Sequence, residues 1–284
     1  MILVDIGNSG LRASRVADGG LFANETVYRL SWSAAIASQR KSSPEQEAAP
    51  NQRWCTSCDR NAYAWLIDRL APKDGETWRI SSVQREVTEL LVETIEARAM
   101  HANVRIVRHS DLPMTMDVES PDRTGIDRLL AAHAAFLVEN GAALKSAKPQ
   151  LHPVIVVQAG TAVTVDFVDE RGVFQGGSIM PGLGLSLQLL AAGTDQLPWL
   201  GNHAVDMQPA LPGKNTEQAI SAGVNAALVG GTAHLVSRYR HETQGGRPTK
   251  VIVSGGDGRL LMQHLPQPTV FVDHLVLRGL CSIV

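Results

Sequence analysis

The stretch that most constrains this fold lies between residues 154 and 168. Val154, Ile155, Val156 and Val157 are an apolar run rich in β-branched side chains, and they predict a buried strand. Gly160 lets the backbone turn and approach a ligand closely. Thr161 and Thr164 put hydroxyls at that turn, and Val163, Val165 and Phe167 alternate as a second strand requires. The chain opens with a copy of the pattern. Ile2, Leu3 and Val4 lead into Asp5, Ile6, Gly7, Asn8, Ser9 and Gly10, and a second strand begins at Leu11 and Arg12. Laid over each other, Asp5 falls on Gln158, Gly7 on Gly160, Asn8 on Thr161 and Ser9 on Ala162. This predicts an internal duplication: two similar domains, each offering a glycine turn to one ligand between them.

A glycine turn between two strands aims backbone N–H groups and short hydroxyl side chains in one direction, which makes a cradle for phosphate oxygens. An acidic residue at the end of the first strand, here Asp5, can hold the accompanying Mg²⁺ directly or through water. The plain alternative is a pair of ordinary β-hairpins with no ligand. The matched pair, each member following a hydrophobic strand, favours the phosphate reading.

Composition sets the outer bounds. The chain has 284 residues, enough for two domains, and is 44% hydrophobic and 19% charged, as expected of a globular protein. A net charge of -2 gives no electrostatic case for nucleic acid or for an anionic membrane. No apolar run is expected to span a membrane. A strand at the first residues leaves no room for a signal peptide, and three cysteines suit a reducing compartment, so the expected location is cytoplasmic. Cys55 and Cys58 form a lone C-x-x-C. Zinc would need a second ligand pair, and a thioredoxin-like role would need another context.

The pattern along the chain predicts a meander of three strands over 1–30, with a turn at Asp18, Gly19 and Gly20. Arg12 in this meander either reaches back toward the phosphates or is a solvated strand residue. A polar stretch over 38–53 reads as the end of a helix running into a surface loop. A helix at 61–70, a strand at 77–83, a helix at 86–100 and a strand at 104–107 follow, a ribonuclease-H-like order. A helix over 129–138 follows Gly125, Ile126, Asp127 and Arg128. By local pattern, Asp127 favours the helix dipole and Arg128 is solvated. Residues 139–153 read as a linker. After the second hairpin come a strand at 173–179, a helix at 185–192 and a long apolar helix at 217–239. The small residues of that last helix suit either a subunit interface or internal packing. A strand at 250–254 then enters a third glycine turn at Gly255, Gly256, Asp257 and Gly258. A short helix, a last strand at 269–272 and a terminal helix end the chain.

Taken together, these motifs resemble those of the type III pantothenate kinases of the actin-like ATPase superfamily, over nearly the whole chain. Asp5, Ile6, Gly7, Asn8, Ser9, Gly10, Leu11 and Arg12 are similar to that family's first phosphate motif. Gly125, Ile126, Asp127 and Arg128 are similar to its G-x-D-R motif, and Ala159, Gly160, Thr161, Ala162 and Thr164 to its second phosphate motif. Gly176, Gly177, Pro181 and Gly182, then Thr194 to Leu197 and Pro198, Asn215, Thr216, Ala222, Gly223, Ser254, Gly255 and Gly256 complete the set in order. The resemblance implies an α/β fold of two ribonuclease-H-like domains, 1–124 and 125–284, with the active site in the cleft between them. It implies ATP-dependent phosphorylation of pantothenate to 4'-phosphopantothenate, the first step of coenzyme A biosynthesis. Asp127 would be the general base, Asp5 to Arg12 and Thr161 would contact ATP, and Gly125, Ile126, Asp127, Arg128 and Thr216 would line the pantothenate pocket. In the family Thr216 would reach across a homodimer. Mg²⁺ would sit at Asp5, and a monovalent cation, K⁺ or NH₄⁺, at position 158.

One departure stands out. The family has an aspartate where this chain has Gln158. A glutamine oxygen can still ligate K⁺, but without formal charge, which puts monovalent-cation dependence in question. The 139–153 linker is also longer than the family pattern. Two readings therefore compete: an active kinase that tolerates Gln158, and a nucleotide-binding relative without turnover that acts as an accessory or regulatory protein.

Overall fold

The computed structural model describes residues 1–17, 25–32, 51–99, 101–201, 209–242 and 249–283. The expected turn at 18–20 and most of the expected loop at 38–53 lie outside them. By contacts the chain divides into two units. The first is Met1–Pro113 with Asp122–Ala131 and Val276–Val284, and the second is Met114–Pro121 with Ala132–Leu275.

The first unit is built on a sheet of six strands: β1 (Ile2–Gly7), β2 (Gly10–Arg15), β3 (Val27–Trp32), β4 (Gln52–Cys55), β5 (Thr77–Ser82) and β6 (Asn103–Ile106), in the order β4-β3-β2-β1-β5-β6. β1, β2 and β3 form an antiparallel meander, and β5 and β6 continue parallel to β1. The crossovers carry α1 (Arg60–Leu70) and α2 (Arg85–Arg98). Their apolar faces explain the core: Tyr63, Leu66 and Ile67 of α1 and Val87, Leu91 and Ile95 of α2 cluster with Ile2, Val4, Ile6, Trp78 and Ile80. Ile2, Val4 and Ile6 of β1 belong to this cluster, while Leu3 and Asp5, also buried, lie on the opposite face of the sheet.

The second unit repeats this topology. β7 (Val154–Ala159), β8 (Ala162–Val168), β9 (Phe174–Pro181), β10 (Lys250–Ser254) and β11 (Thr269–Phe271) lie in the order β11-β10-β7-β8-β9. Again the first three are an antiparallel meander and the last two run parallel to the first. Ile155, Val157, Val163, Val165, Val251 and Val253 pack against α4 (Leu183–Ala192) and α5 (Thr216–Glu242) through Leu187, Ile220, Val224 and Leu228. The expected duplication is thus present as a shared strand order.

Several local expectations change. Gln52 and Arg53, the end of the expected loop, belong to strand β4, which runs parallel to β3. The helix expected at 129–138 is α3 (Ile126–Asn140), three residues longer at its start, so Ile126, Asp127 and Arg128 are its first turn. The 139–153 linker is tied down: Asn140 donates to His152 O and accepts from His152 N. The expectation that no apolar run could span a membrane is corrected by α5. Over Thr216–His241 it is long and apolar enough, with hydropathy 1.4. Its apolar positions Ile220, Val224, Leu228 and Val236 are spent on the core of the second unit. The remaining elements are α6 (Gly258–Met262) and α7 (Leu275–Ser282), and Arg79 of β5 donates to the carbonyl of Leu280.

Candidate active site

The first glycine turn joins β1 to β2. Gly7 pairs with Gly10, and the tip residues Asn8 and Ser9 are exposed. Gly10 is required by space, since a Cβ there would lie 2.3 Å from the carbonyl oxygen of Leu30. The turn is braced from both sides. Trp32 N donates to Ser9 O at 3.0 Å, and Gln84 Nε2 donates to Gly7 O at 2.7 Å. Gln84 is itself held, because its backbone N donates to Ser82 Oγ, which also accepts from Thr88 Oγ1. The sequence reading missed Gln84. Its signal was a pair of serines followed by a polar residue at the mouth of a helix.

Asp5 lies two residues before this turn and is 5% exposed. Its register partners are Arg12 on β2 and Ser81 on β5, so the three side chains share one face of the sheet. Arg12 Nη1 lies 3.6 Å from Asp5 Oδ2, and the Arg12 side chain is 39% exposed. Burial pushes the Asp5 carboxyl up to about 6; Arg12 opposes this, and the charge of Asp127 adds to it. The influence of Asp127 brings the second expected carboxylate into the same neighbourhood, within the first unit.

Asp127 is in the first turn of α3. Its Oδ1 accepts from Arg128 N at 2.9 Å, so part of the helix-start role expected from the local pattern is realised. The carboxyl is nonetheless held above the usual range by burial, against hydrogen bonds from the backbone N–H groups of Arg128 and Asp127 and the charge of Arg128. Gly125 leaves it room: a Cβ there would lie 2.6 Å from Asp127 Oδ1. His109 Nε2, 2.6 Å from Thr124 O, anchors the approach to that glycine. Ile126 is buried beside it.

In the second unit, Gly160 and Thr161 form an exposed two-residue tip between β7 and β8. Here Gln158 pairs with Thr164, six residues on, whereas Asp5 pairs with Arg12, seven on, so the register of the second hairpin is shifted by one residue relative to the first. Two other glycine segments press against this turn. A Cβ on Gly182 would lie 2.1 Å from Gly160 O, and one on Gly255 would lie 2.1 Å from Ala159 O. Gly182 N donates to Thr161 O and Asp257 N to Ala159 O. The three loops are therefore one backbone assembly, and the glycines flanking the expected third turn belong to it. Thr216 is the exposed first residue of α5, whose start is capped by Asn215 Oδ1 accepting from Gln218 N.

Among the described residues no group of three or more His, Cys, Asp or Glu side chains is arranged to hold a metal ion. A divalent ion here would need phosphate oxygens beside the single carboxylate of Asp5, which is an ordinary arrangement for Mg²⁺. The neighbouring Ser81 hydroxyl is buried without a hydrogen-bond partner, as is that of Thr164 opposite Gln158. Both positions thus combine an oxygen donor with an unused polar group. Asp5 fits a divalent ion held together with phosphate oxygens.

Comparison with known proteins shows the family. A family model of type III pantothenate kinase matches residues 1–238. A type III pantothenate kinase of Rhodopirellula baltica is 41% identical over 293 residues, covering 99% of this chain and 97% of its own. That of Rhodospirillum rubrum is 35% identical over 241 residues, covering 81% and 87%. Among solved structures, a Baf family transcriptional activator from Campylobacter jejuni superposes with a TM-score of 0.54 at 18% identity, over 98% of this chain and 94% of that one. A 2-dehydro-3-deoxygalactonokinase protein from Sinorhizobium meliloti gives 0.51 at 14%, over 99% and 94%. At such identities the structures speak for the fold, an actin-like ATPase fold, while the sequence matches speak for the family. This chain belongs to the type III pantothenate kinase family.

Proposed function

We propose that this protein transfers the terminal phosphoryl group of ATP to the primary hydroxyl of pantothenate, yielding 4'-phosphopantothenate for coenzyme A biosynthesis. The observation that carries the proposal is a pair of carboxylates in the first unit, buried Asp5 beside a braced glycine turn and half-buried Asp127 at the start of α3, whose charge raises Asp5. Asp127 accepts the hydroxyl proton as the phosphoryl group moves. Its raised proton affinity suits that task better than an ordinary surface carboxylate would. The backbone of Gly7, Asn8, Ser9 and Gly10 and the side chain of Arg12 orient phosphate oxygens, with Ile6 and Leu11 fixing the strands behind them. Thr161 serves the same purpose from the second turn. Gly125, Ile126, Arg128 and Thr216 bind pantothenate. Mg²⁺, when held by Asp5 and the phosphates, supplies neutralisation of developing charge.

Gln158 and Thr164 take a monovalent cation only weakly, because both offer neutral oxygens. The two duplicated halves correspond in sequence to 1–124 and 125–284. The protein acts as a homodimer in the cytoplasm. The exposed small residues Ala219, Gly223, Ala226 and Gly230 of α5 support the dimer, since Gly223 and Gly230 have open space around them. The reading as a nucleotide-binding protein without turnover is less favoured, because Asp5 and Asp127 are both present in the sequence. Formation of phosphopantothenate from ATP, Mg²⁺ and pantothenate tests the proposal.

A further inference from the structure

The C-x-x-C segment has no part in the reaction proposed above, yet it lies at the same rim of the first sheet as the glycine turn. Gly10 pairs with Ser31 and Ser31 with Trp54, while Trp32 pairs with Cys55. β4 therefore ends where β2 begins. Trp32 joins the two regions directly. Its N–H holds Ser9 O, and its ring meets that of Tyr63 edge-on at 6.5 Å. The Tyr63 hydroxyl donates to the carbonyl of Ser57, between the two cysteines. Both thiols lie close enough to that phenol for their charges to bear on it. Neither is in a disulfide; Cys55 is buried and Cys58 exposed. Cys58 immediately precedes Asp59, whose carboxylate caps α1 by accepting from Asn61 N and Ala62 N.

We propose that Cys55 and Cys58 are a peroxide-responsive dithiol whose oxidation to a disulfide loosens the first phosphate turn and weakens nucleotide binding. The exposed Cys58 sulfur attacks a peroxide, breaking the O–O bond and giving a sulfenic acid and, from hydrogen peroxide, one water. The Cys55 sulfur then attacks the Cys58 sulfur, its proton leaving with the hydroxide as a second water. Two thiols lose two electrons, which the peroxide takes up. Burial pushes the Cys55 thiol up to about 11, so it is a poor target for the oxidant and the order of events is fixed. Closing the bridge resets the 56–59 turn and draws on the end of β4. The change reaches Ser9 through Trp32. Only its effect on nucleotide binding rests on the function proposed above; the disulfide does not.

Both cysteines fall in one tryptic peptide, between Arg53 and Arg60. The test treats the reduced protein with hydrogen peroxide, maps that peptide by mass and measures ATP affinity without pantothenate. The expected result is a peptide lighter by two hydrogen atoms, restored by dithiothreitol, with ATP affinity several-fold weaker in the oxidised form. Cys58→Ser, at an exposed position, is expected to bind ATP normally and not respond to peroxide. A peptide that gains oxygen at Cys58 while Cys55 stays alkylatable would overturn the proposal. So would a disulfide that leaves ATP affinity unchanged, or a Cys58→Ser protein that still loses affinity. A protein that binds ATP in this redox-dependent way but makes no phosphopantothenate would refute the kinase reading alone.

Discussion

The two glycine turns share a strand order but not a chemistry. Around the first, Asp5, Arg12 and Ser81 occupy one face of the sheet, a carboxylate and a guanidinium beside a buried hydroxyl. Around the second, the corresponding places hold Gln158, Thr164 and Ser254, all neutral. The second turn is instead packed tightly by backbone, with Gly182 and Gly255 in near-contact with its carbonyls. Duplication preserved the scaffold, because both copies must bury the same valine- and isoleucine-rich strands. Charge was free to differ, because it lies on the face that the first hydrophobic layer does not use. The lesson is that the first turn is built for charged chemistry and the second for shape.

That contrast can be broken by substitution. The largest effect is expected beside the charged turn: Asp127→Asn should lower kcat by about 10²–10⁴ while ATP still binds. A loss under tenfold would leave Asp127 as a helix-start residue only. Next, Asp5→Asn should weaken Mg²⁺-dependent ATP binding by about 10–100-fold, the cost of losing a charge-assisted contact, whereas Gln158→Ala should cost only a few-fold. Equal losses would erase the distinction between the turns. The same carboxylate predicts a pH signature. Because its folded value is raised to about 6, its contribution to stability is fully present below the ordinary carboxylate range and is lost as pH rises through about 6. ATP binding, which needs the ionised form, should rise over the same interval, and Asp5→Asn should flatten both profiles.

The packing half of the comparison predicts a smaller effect, on stability rather than rate. Gly182→Ala should destabilise the protein by about 1–3 kcal/mol, because its methyl group meets backbone and not a yielding side chain. Gly160→Ala, with its nearest neighbour 3.9 Å away, should be close to neutral in denaturant titrations. The smallest change is expected at Gln158→Asp. That substitution restores a formal charge opposite the Thr164 hydroxyl and should strengthen activation by K⁺. Identical K⁺ titrations of the two proteins would show that position 158 does not hold the ion.

Much of this was legible in the sequence where the signal was local. Val154 to Val157, the alternation after Gly160 and the matched opening copy were enough to place both hairpins. Gly125 and Asp127 were placed by motif, although local pattern alone would have stopped at a helix start. What was hidden depends on partners far along the chain. Gln52–Cys55 carries no run of β-branched residues, and it becomes a strand because β3 offers an open edge. The membership of 114–121 in the second unit rests on Met116 bridging to Phe174, and that of the C-terminal residues in the first on Arg79 and on Gly279 against Leu130. The apolar length of α5 reads equally as a membrane span until its Val224 and Leu228 are seen in a core. Nor does the sequence reveal that Asp5 is buried, which is what moves its proton affinity.

In the reaction proposed above, a carboxylate at the start of α3 takes the proton of an alcohol while ATP gives up its terminal phosphoryl group. The most direct test is to supply the unmodified protein with ATP, Mg²⁺ and pantothenate and to follow 4'-phosphopantothenate. Product is expected to form in proportion to enzyme. Bound nucleotide with no product, whether or not K⁺ or NH₄⁺ is added, would contradict it.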